Sequence, residues 1–318
     1  MPRVDLGLFP TPVHHMHNLE RELDFHNIFI KRDDLTGLGL GGNKVRSLEF
    51  ILGEAVGNGC DTVIVCGPLQ SNLCTLTGSA CAKLGLKCLS LHNAEPPRVC
   101  DGNLLLNKLL NLESLYLGNI SAEERNAYAV QLAEKLTAEG KKPYIVQNGG
   151  TTGVGALGYV SACMELHAQV KEQNLPLKTI FAPGGNGGVA AGLIYGNALL
   201  GLPFEIVIIS VELDAPSLTD AIGQTIEQAE ELLGLPFGRS LEAACRIVDA
   251  YRGQGWGANT VESEGFVHRL PQLEGIFIEN VYTSKVLVGL EDFVTKGRAT
   301  DGVCYLHTGG TGSLFSQY

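Results

Sequence analysis

The sequence predicts an α/β fold in which parallel sheets are covered by helices on both faces. Three observations predict it. Short β-rich runs alternate with helical patterns along most of the chain, several of those runs are apolar throughout, and glycine-rich turns stand where strands end and helices begin. "NIFIKRDD" (27–34) reads as a strand running into a loop. The helix after it, "NKVRSLEFILGEAVGNG", carries Val45, Leu48, Leu52 and Ala55 at helical spacing. "DTVIVCG" (61–67) is a buried strand, and "SNLCTLTGSACAKLG" (71–85) a helix opened by Ser-Asn and closed by glycine. "KCLSLHN", "GNLLLNKLLN" and "ESLYLGN" continue as strand, helix and strand. A helix with an acidic first turn (122–140) and the strand "KPYIVQNGG" follow. The second half repeats this grammar, with a helix from about 154 to 174, a strand at 178–185, a helix at 188–201 and a strand at 204–213. Residues 214–280 read as less regular, and "GVCYLHTGGTG" closes the chain as a strand. In sheets of this kind ligands bind in the crevice at the carboxyl ends of the strands.

The composition excludes some partners. The 318 residues allow one large domain or two moderate ones sharing a cleft, and 45% apolar residues supply a sizeable core. A net charge of −11, from 23 basic and 34 acidic residues with no basic run, argues against nucleic acid or an anionic membrane. Nothing at the start has the apolar centre of a secretion signal, and no stretch is apolar for long enough to span a bilayer. Nine cysteines without a CxxC pair, several inside apolar runs, read as reduced thiols, so the expected address is the cytoplasm.

Four stretches carry chemistry. In "FAPGGNGGVAAGLIYG" (181–196) a strand ends in Gly184, Gly185, Asn186, Gly187 and Gly188 and a helix begins at once. Free N–H groups and the positive end of the helix dipole make that turn a phosphate cradle, although a tight turn without a ligand needs glycine too. The cradle lacks the lysine and hydroxyl of a nucleotide-triphosphatase loop and is not GxGxxG. In "CGPLQSNLCTL" (66–76), Gln70, Ser71 and Asn72 stand between strand and helix, where they can face a ligand or simply cap the helix. Lys44, after Gly41, Gly42 and Asn43, is a solvated charge or a reactive amine; a cation is mildly disfavoured at a helix start. "HTGGTGSLF" (307–315) adds Thr308 and two further glycine amides. A lysine, an anion cradle and polar loops together suit pyridoxal phosphate, whose aldehyde bonds a lysine and whose phosphate needs a cradle.

"GGNKVRSLEF", "GPLQSN", "VYTSKVLVGL" and "HTGG", in that order, resemble the D-cysteine desulfhydrase and 1-aminocyclopropane-1-carboxylate deaminase family of fold-type II pyridoxal-phosphate enzymes, from about residue 5 to the C-terminus. The resemblance implies a tryptophan-synthase-β-like architecture of two open, mostly parallel twisted sheets flanked by helices. Residues 1–46 and 156–318 would form a large cofactor-binding domain, with 47–155 inserted as a small one. It implies pyridoxal 5′-phosphate, a small amino-acid substrate, a homodimer and no metal. Lys44 matches the Schiff-base lysine, beside Asn43, and Asn72 a residue bonding the cofactor's 3′ oxygen. Ser71 matches a serine that addresses the substrate carboxylate or serves as a second acid/base. Gly184, Gly185, Asn186, Gly187 and Gly188 match the phosphate loop, and Tyr282 an active-site tyrosine. Gln70 and Trp256 fall on the substrate side, and Thr283 or Thr308 near the pyridine nitrogen.

The sequence departs from the family at three places. Pro183 and Gly185 stand where the phosphate loop usually has Ser or Thr, Thr283 where the deaminase branch has glutamate, and Trp256 where a tyrosine is usual. A neutral hydroxyl at 283 would leave the pyridine a weaker electron sink, suiting elimination of a good leaving group better than ring opening. An indole N–H only donates a hydrogen bond and cannot relay a proton. The implied reaction is an α,β-elimination in which Lys44 removes the α-proton, with D-cysteine the leading substrate, L-cysteate or a related sulfonate second and the cyclopropane third. Two other classes compete. One is a non-catalytic small-anion binder on the same fold. The other is an NAD-dependent oxidoreductase, for which Glu205 lies near the required ~20-residue spacing but no GxGxxG exists.

Overall fold

The computed structural model describes residues 1–318. The chain builds two sheets. The first contains β1 (Val13–His15), β2 (Ile28–Arg32), β7 (Leu177–Gly184), β8 (Glu205–Ser210), β9 (Arg246–Val248) and β10 (Gly302–His307), in the order β1-β2-β10-β7-β8-β9. The second contains β3 (Thr62–Cys66), β4 (Lys87–His92), β5 (Glu113–Tyr116) and β6 (Pro143–Val146), in the order β5-β4-β3-β6. Every pairing is parallel except that of β1 with β2, where Val13 lies opposite Lys31 in an antiparallel edge. The strands of the first sheet come from before residue 33 and after residue 176, and all those of the second from between them.

Alternation along single strands explains the helices on both faces. On β7, Ile180 and Ala182 enter one core with α6 (Gly153–Glu172), α7 (Gly188–Leu199) and α8 (Ala215–Leu233). Phe181 enters the opposite core with α1 (His17–Leu23), α10 (Val261–Glu274) and α11 (Thr283–Thr295). On β3, Val63 and Val65 pack on α2 (Lys44–Gly57) and α3 (Asn72–Leu84), while Ile64 and Cys66 face α5 (Ala122–Ala138). No helix is long and apolar enough to cross a membrane. All nine cysteines are unpaired; five are buried and Cys100 is exposed.

The stretch 214–280, expected to be irregular, holds two long helices. The Asp214 side chain caps α8 by accepting from the Ser217 N–H, and Leu218, Ile222, Ile226 and Ala229 form its buried stripe. Thr260 caps α10 in a reciprocal box with Ser263. Their faces outside the stripe are polar, which hid the period in the sequence.

A buried ionic cluster fixes the start of α2. Arg46 donates to Asp33 Oδ1 and Oδ2, both at 2.8 Å, and to Glu165 on α6; Lys31 on β2 also donates to Glu165. Thr11 and Tyr159 hydroxyls complete the shell of Asp33 at 2.7 Å each. Burial alone would raise the Asp33 carboxyl, but Arg46 holds it below its ordinary value. Two residues before Arg46 stands Lys44.

Candidate active site

Lys44 is the first residue of α2, and the loop before it is fixed by its backbone. Gly41 has φ +75°, and a Cβ there would overlap the Asp34 carbonyl. The Asn43 N–H donates to the Thr308 carbonyl at 2.9 Å, tying this loop to the turn after β10. Lys44 Nζ donates to the Gly149 carbonyl at 2.7 Å, its one hydrogen bond, and faces no carboxylate. Burial lowers its ammonium to about 8, with no neighbouring charge opposing the shift.

The amine opens onto a cavity of about 460 Å³ between the carboxyl ends of the two sheets. Gly185, Asn186, Gly187 and Gly188 form one wall. Gly187, at φ +94°, turns β7 into α7, and no side chain caps that helix, so its first-turn N–H groups are left for a ligand. A Cβ on Gly185 would stand 3.2 Å from the Tyr282 ring and one on Gly188 3.1 Å from the Thr151 hydroxyl, so a side chain at either would require its neighbour to give by a few tenths of an ångström. Gly184 lies behind this wall, facing Leu218 and Ile208.

Gln70, Ser71 and Asn72 line the side contributed by the second sheet. Ser71 caps α3, accepting from the Cys74 N–H at 3.3 Å, and lines the cavity as well. Gln70 and Asn72 are braced by the loop opening α4 (Gly102–Leu109). Gln70 donates to Asp101 at 3.0 Å and accepts from the Asn103 N–H at 2.8 Å, and Asn72 accepts from Asn103 Nδ2 at 2.8 Å.

Opposite them, the Trp256 indole N–H donates to the Tyr282 oxygen at 2.8 Å, and both side chains line the cavity. Burial pushes the Tyr282 phenol up, and the indole bond pulls it partly back. The loop bearing Trp256 is held from beneath by Lys285. Its buried ammonium donates to the carbonyls of Arg252 (2.7 Å), Gly255 (2.9 Å) and Val211 (3.4 Å).

Thr308 lies in the cavity wall; Thr283 does not. The expected contact from Thr283 to a ring nitrogen is therefore corrected. Its hydroxyl is spent on Glu279 Oε1 at 2.9 Å, because the first helical residue of α11 points back at the residue four positions earlier. Glu279, which the sequence reading passed over, lines the cavity instead. Its carboxylate gathers the N–H groups of Val281, Tyr282 and Thr283 at 2.6–2.9 Å, filling the positive end of α11. Burial pushes this carboxyl up and those hydrogen bonds pull it down. Arg125 and Glu212 are two further charged wall residues the sequence did not single out.

The chain is similar along nearly its whole length to known pyridoxal-phosphate enzymes. Residues 4–309 match the family model described as pyridoxal-phosphate-dependent enzyme. A protein of Pyrococcus abyssi provisionally named 1-aminocyclopropane-1-carboxylate deaminase is 37% identical over 99% of this chain and 93% of its own. A D-cysteine desulfhydrase of Klebsiella pneumoniae is 33% identical over the whole chain and 96% of its own. A crystal structure titled as an ACC deaminase homologue superposes with a TM-score of 0.91 at 35% identity, covering 99% of this chain and 94% of the other.

Proposed function

We propose the reaction from one premise: the chain belongs to the fold-type II pyridoxal-phosphate-dependent enzymes, in the group of the 1-aminocyclopropane-1-carboxylate deaminases and D-cysteine desulfhydrases, and its general chemistry is that of a lyase. Within that group we read it as a carbon–sulfur lyase that eliminates the β-substituent of a small sulfur amino acid, D-cysteine first, to a keto acid and ammonia. The observation that carries the reading is Lys44 Nζ on the cavity wall, lowered to about 8 and without an acidic partner. We take residues 1–46 with 156–318, and 47–155, as the two domains enclosing this site.

The residues fit the cofactor. The glycine cradle and the uncapped α7 N-terminus suit a phosphate, and the amine suits an aldehyde. When bound, pyridoxal phosphate draws electrons from the substrate's α-carbon and so makes its proton removable. Lys44 Nζ, with a value near working pH, takes that proton. The Ser71 hydroxyl and the start of α3 orient the substrate carboxylate. Asn72, its side-chain oxygen already accepting from Asn103, has its amide N–H₂ left to donate to the cofactor's ring oxygen. The Tyr282 oxygen accepts from Trp256, which leaves its own proton to donate to the departing sulfur. The Cβ–S bond breaks with its electron pair going to sulfur, and water then hydrolyses the released enamine to keto acid and ammonia.

Thr283 no longer argues against ring opening, since it does not face the cavity; the resemblance and the Trp256–Tyr282 pair support the sulfur reading. Parallel assay of D-cysteine, L-cysteine, L-cysteate and 1-aminocyclopropane-1-carboxylate tests it. Keto acid released with sulfide or sulfite is the expected result. Turnover of the cyclopropane alone would overturn it.

A further inference from the structure

The end of the cavity nearest β4 and α5 holds a charge that the catalytic scheme leaves unused. Arg125, in the first turn of α5, is 2% exposed, yet it lines the cavity beside Asn93 and Ser71. One guanidinium N–H₂ donates to Asn93 Oδ1 at 2.7 Å and the other, at 3.4 Å, to Asn126 Oδ1. Its Nε–H has no partner, and no carboxylate pairs with it. Burial pushes the neighbouring Cys66 thiol up, outweighing the charge and hydrogen bond of Arg125, which touches it and pulls it down, so that thiol offers no counter-charge. The contrast with Arg46 is direct: the same side chain, equally buried, there meets Asp33 and Glu165.

A desolvated guanidinium without an anion is costly, and proteins keep one where a ligand supplies the missing charge. The cofactor's phosphate is provided for at the glycine cradle, on the other sheet. The two carboxylates in the cavity wall, Glu279 and Glu212, stand on segments of the first sheet's unit, after α10 and β8. Arg125 therefore has no anion from the protein. With the carboxylate assigned to Ser71 and the start of α3, the guanidinium remains for a second anionic group.

We propose that Arg125 is a substrate-binding residue and that this pocket takes a small amino acid bearing a second strong anion on its β-carbon, of which a sulfonate is the sulfur-containing case. The proposal rests on the lyase reading and, within it, places a β-sulfonate amino acid ahead of D-cysteine as substrate. The guanidinium fork matches two oxygens of a sulfonate, which a thiol does not offer.

The test uses the holoenzyme and 3-sulfopropionate, a carboxylate-sulfonate that has no amine and cannot be turned over. Compared with propionate at equal ionic strength, 3-sulfopropionate should raise the melting temperature of the wild type. Its apparent Kd should weaken roughly tenfold or more in Arg125→Gln, the loss expected of a charge-assisted bidentate pair. Arg125→Lys, which keeps the charge without the fork, should fall between; it also serves if the glutamine variant does not fold. In turnover, Arg125→Gln should lower kcat/KM for cysteate by a larger factor than that for cysteine. Equal binding of 3-sulfopropionate and propionate by the wild type would overturn the proposal, as would an equal loss on cysteine and cysteate in the variant. Failure of the lyase reading looks different: no amino acid then yields keto acid, whatever 3-sulfopropionate does.

Discussion

Two buried lysines lie thirteen positions apart, and the chain treats them in opposite ways. Lys31, 1% exposed on β2, donates to Glu165, to Gln169 at 2.7 Å and to the Thr11 carbonyl at 2.8 Å. Lys44 has one carbonyl, that of Gly149. Burial pushes both ammonium groups down. At Lys31 the charges of Glu165 and Asp33 push back, whereas at Lys44 nothing does and the value falls to about 8. The difference teaches that a buried amine is made reactive by what is withheld from it. A saturated shell holds the Lys31 cation in the structure, whereas a single carbonyl beside a cavity leaves the Lys44 amine lowered and open to a ligand.

Removing each amine separates the two roles most sharply. Lys44→Ala should lower keto-acid release by at least about a thousandfold, as loss of a general base and covalent anchor does, while its melting temperature stays near that of the wild type. A collapse in stability would break the comparison. Lys31→Met should do the reverse. It leaves Glu165 partly unpaired in a buried cluster and costs about 3 kcal/mol in urea unfolding, with kcat nearly intact in the folded enzyme.

The pH dependence of reconstitution sharpens the comparison further. Only the neutral amine has the lone pair that attacks an aldehyde. Because the folded value of Lys44 lies below that of an ordinary lysine, the rate at which apoenzyme takes up pyridoxal phosphate should rise with pH and level off above about 8. Below that midpoint it should fall roughly tenfold per pH unit. A midpoint near the ordinary lysine value would contradict the withheld-partner argument.

The smallest effect belongs to a third buried lysine. Lys285 holds the Arg252 and Gly255 carbonyls, and Trp256, the only tryptophan of the chain, reports on that loop. Lys285→Met should shift Trp256 emission to the red, increase its quenching by acrylamide and lower kcat/KM roughly tenfold through displacement of the Trp256–Tyr282 pair. Unchanged emission with unchanged kinetics would show that the loop does not depend on this tie.

The strand–helix alternation and the glycine turns were legible in the sequence because each is a local pattern; Lys44 drew notice for a local reason too, standing beside glycines whose conformations only a close approach requires. Other parts were not legible because they depend on tertiary position. Arg125 sits in the acidic run "AEERNAY" and reads as a solvated face until the second sheet buries it. Glu279 precedes Tyr282 by three residues and looks like loop polarity, yet the turn into α11 brings its carboxylate over the helix start. Thr283 was misread for the same reason. Adjacency to Tyr282 in sequence does not set direction, and one residue along a helix start turns the side chain away from the cavity.

The central claim is that Lys44, and no other buried amine, holds the cofactor. Reduction of the holoenzyme with borohydride, which fixes the cofactor to whichever amine it occupies, followed by peptide mass mapping, tests it directly. The account predicts the pyridoxyl mass on the peptide carrying Lys44 and its loss in Lys44→Ala. Label on Lys31 or Lys285, or label that persists in Lys44→Ala, would contradict it.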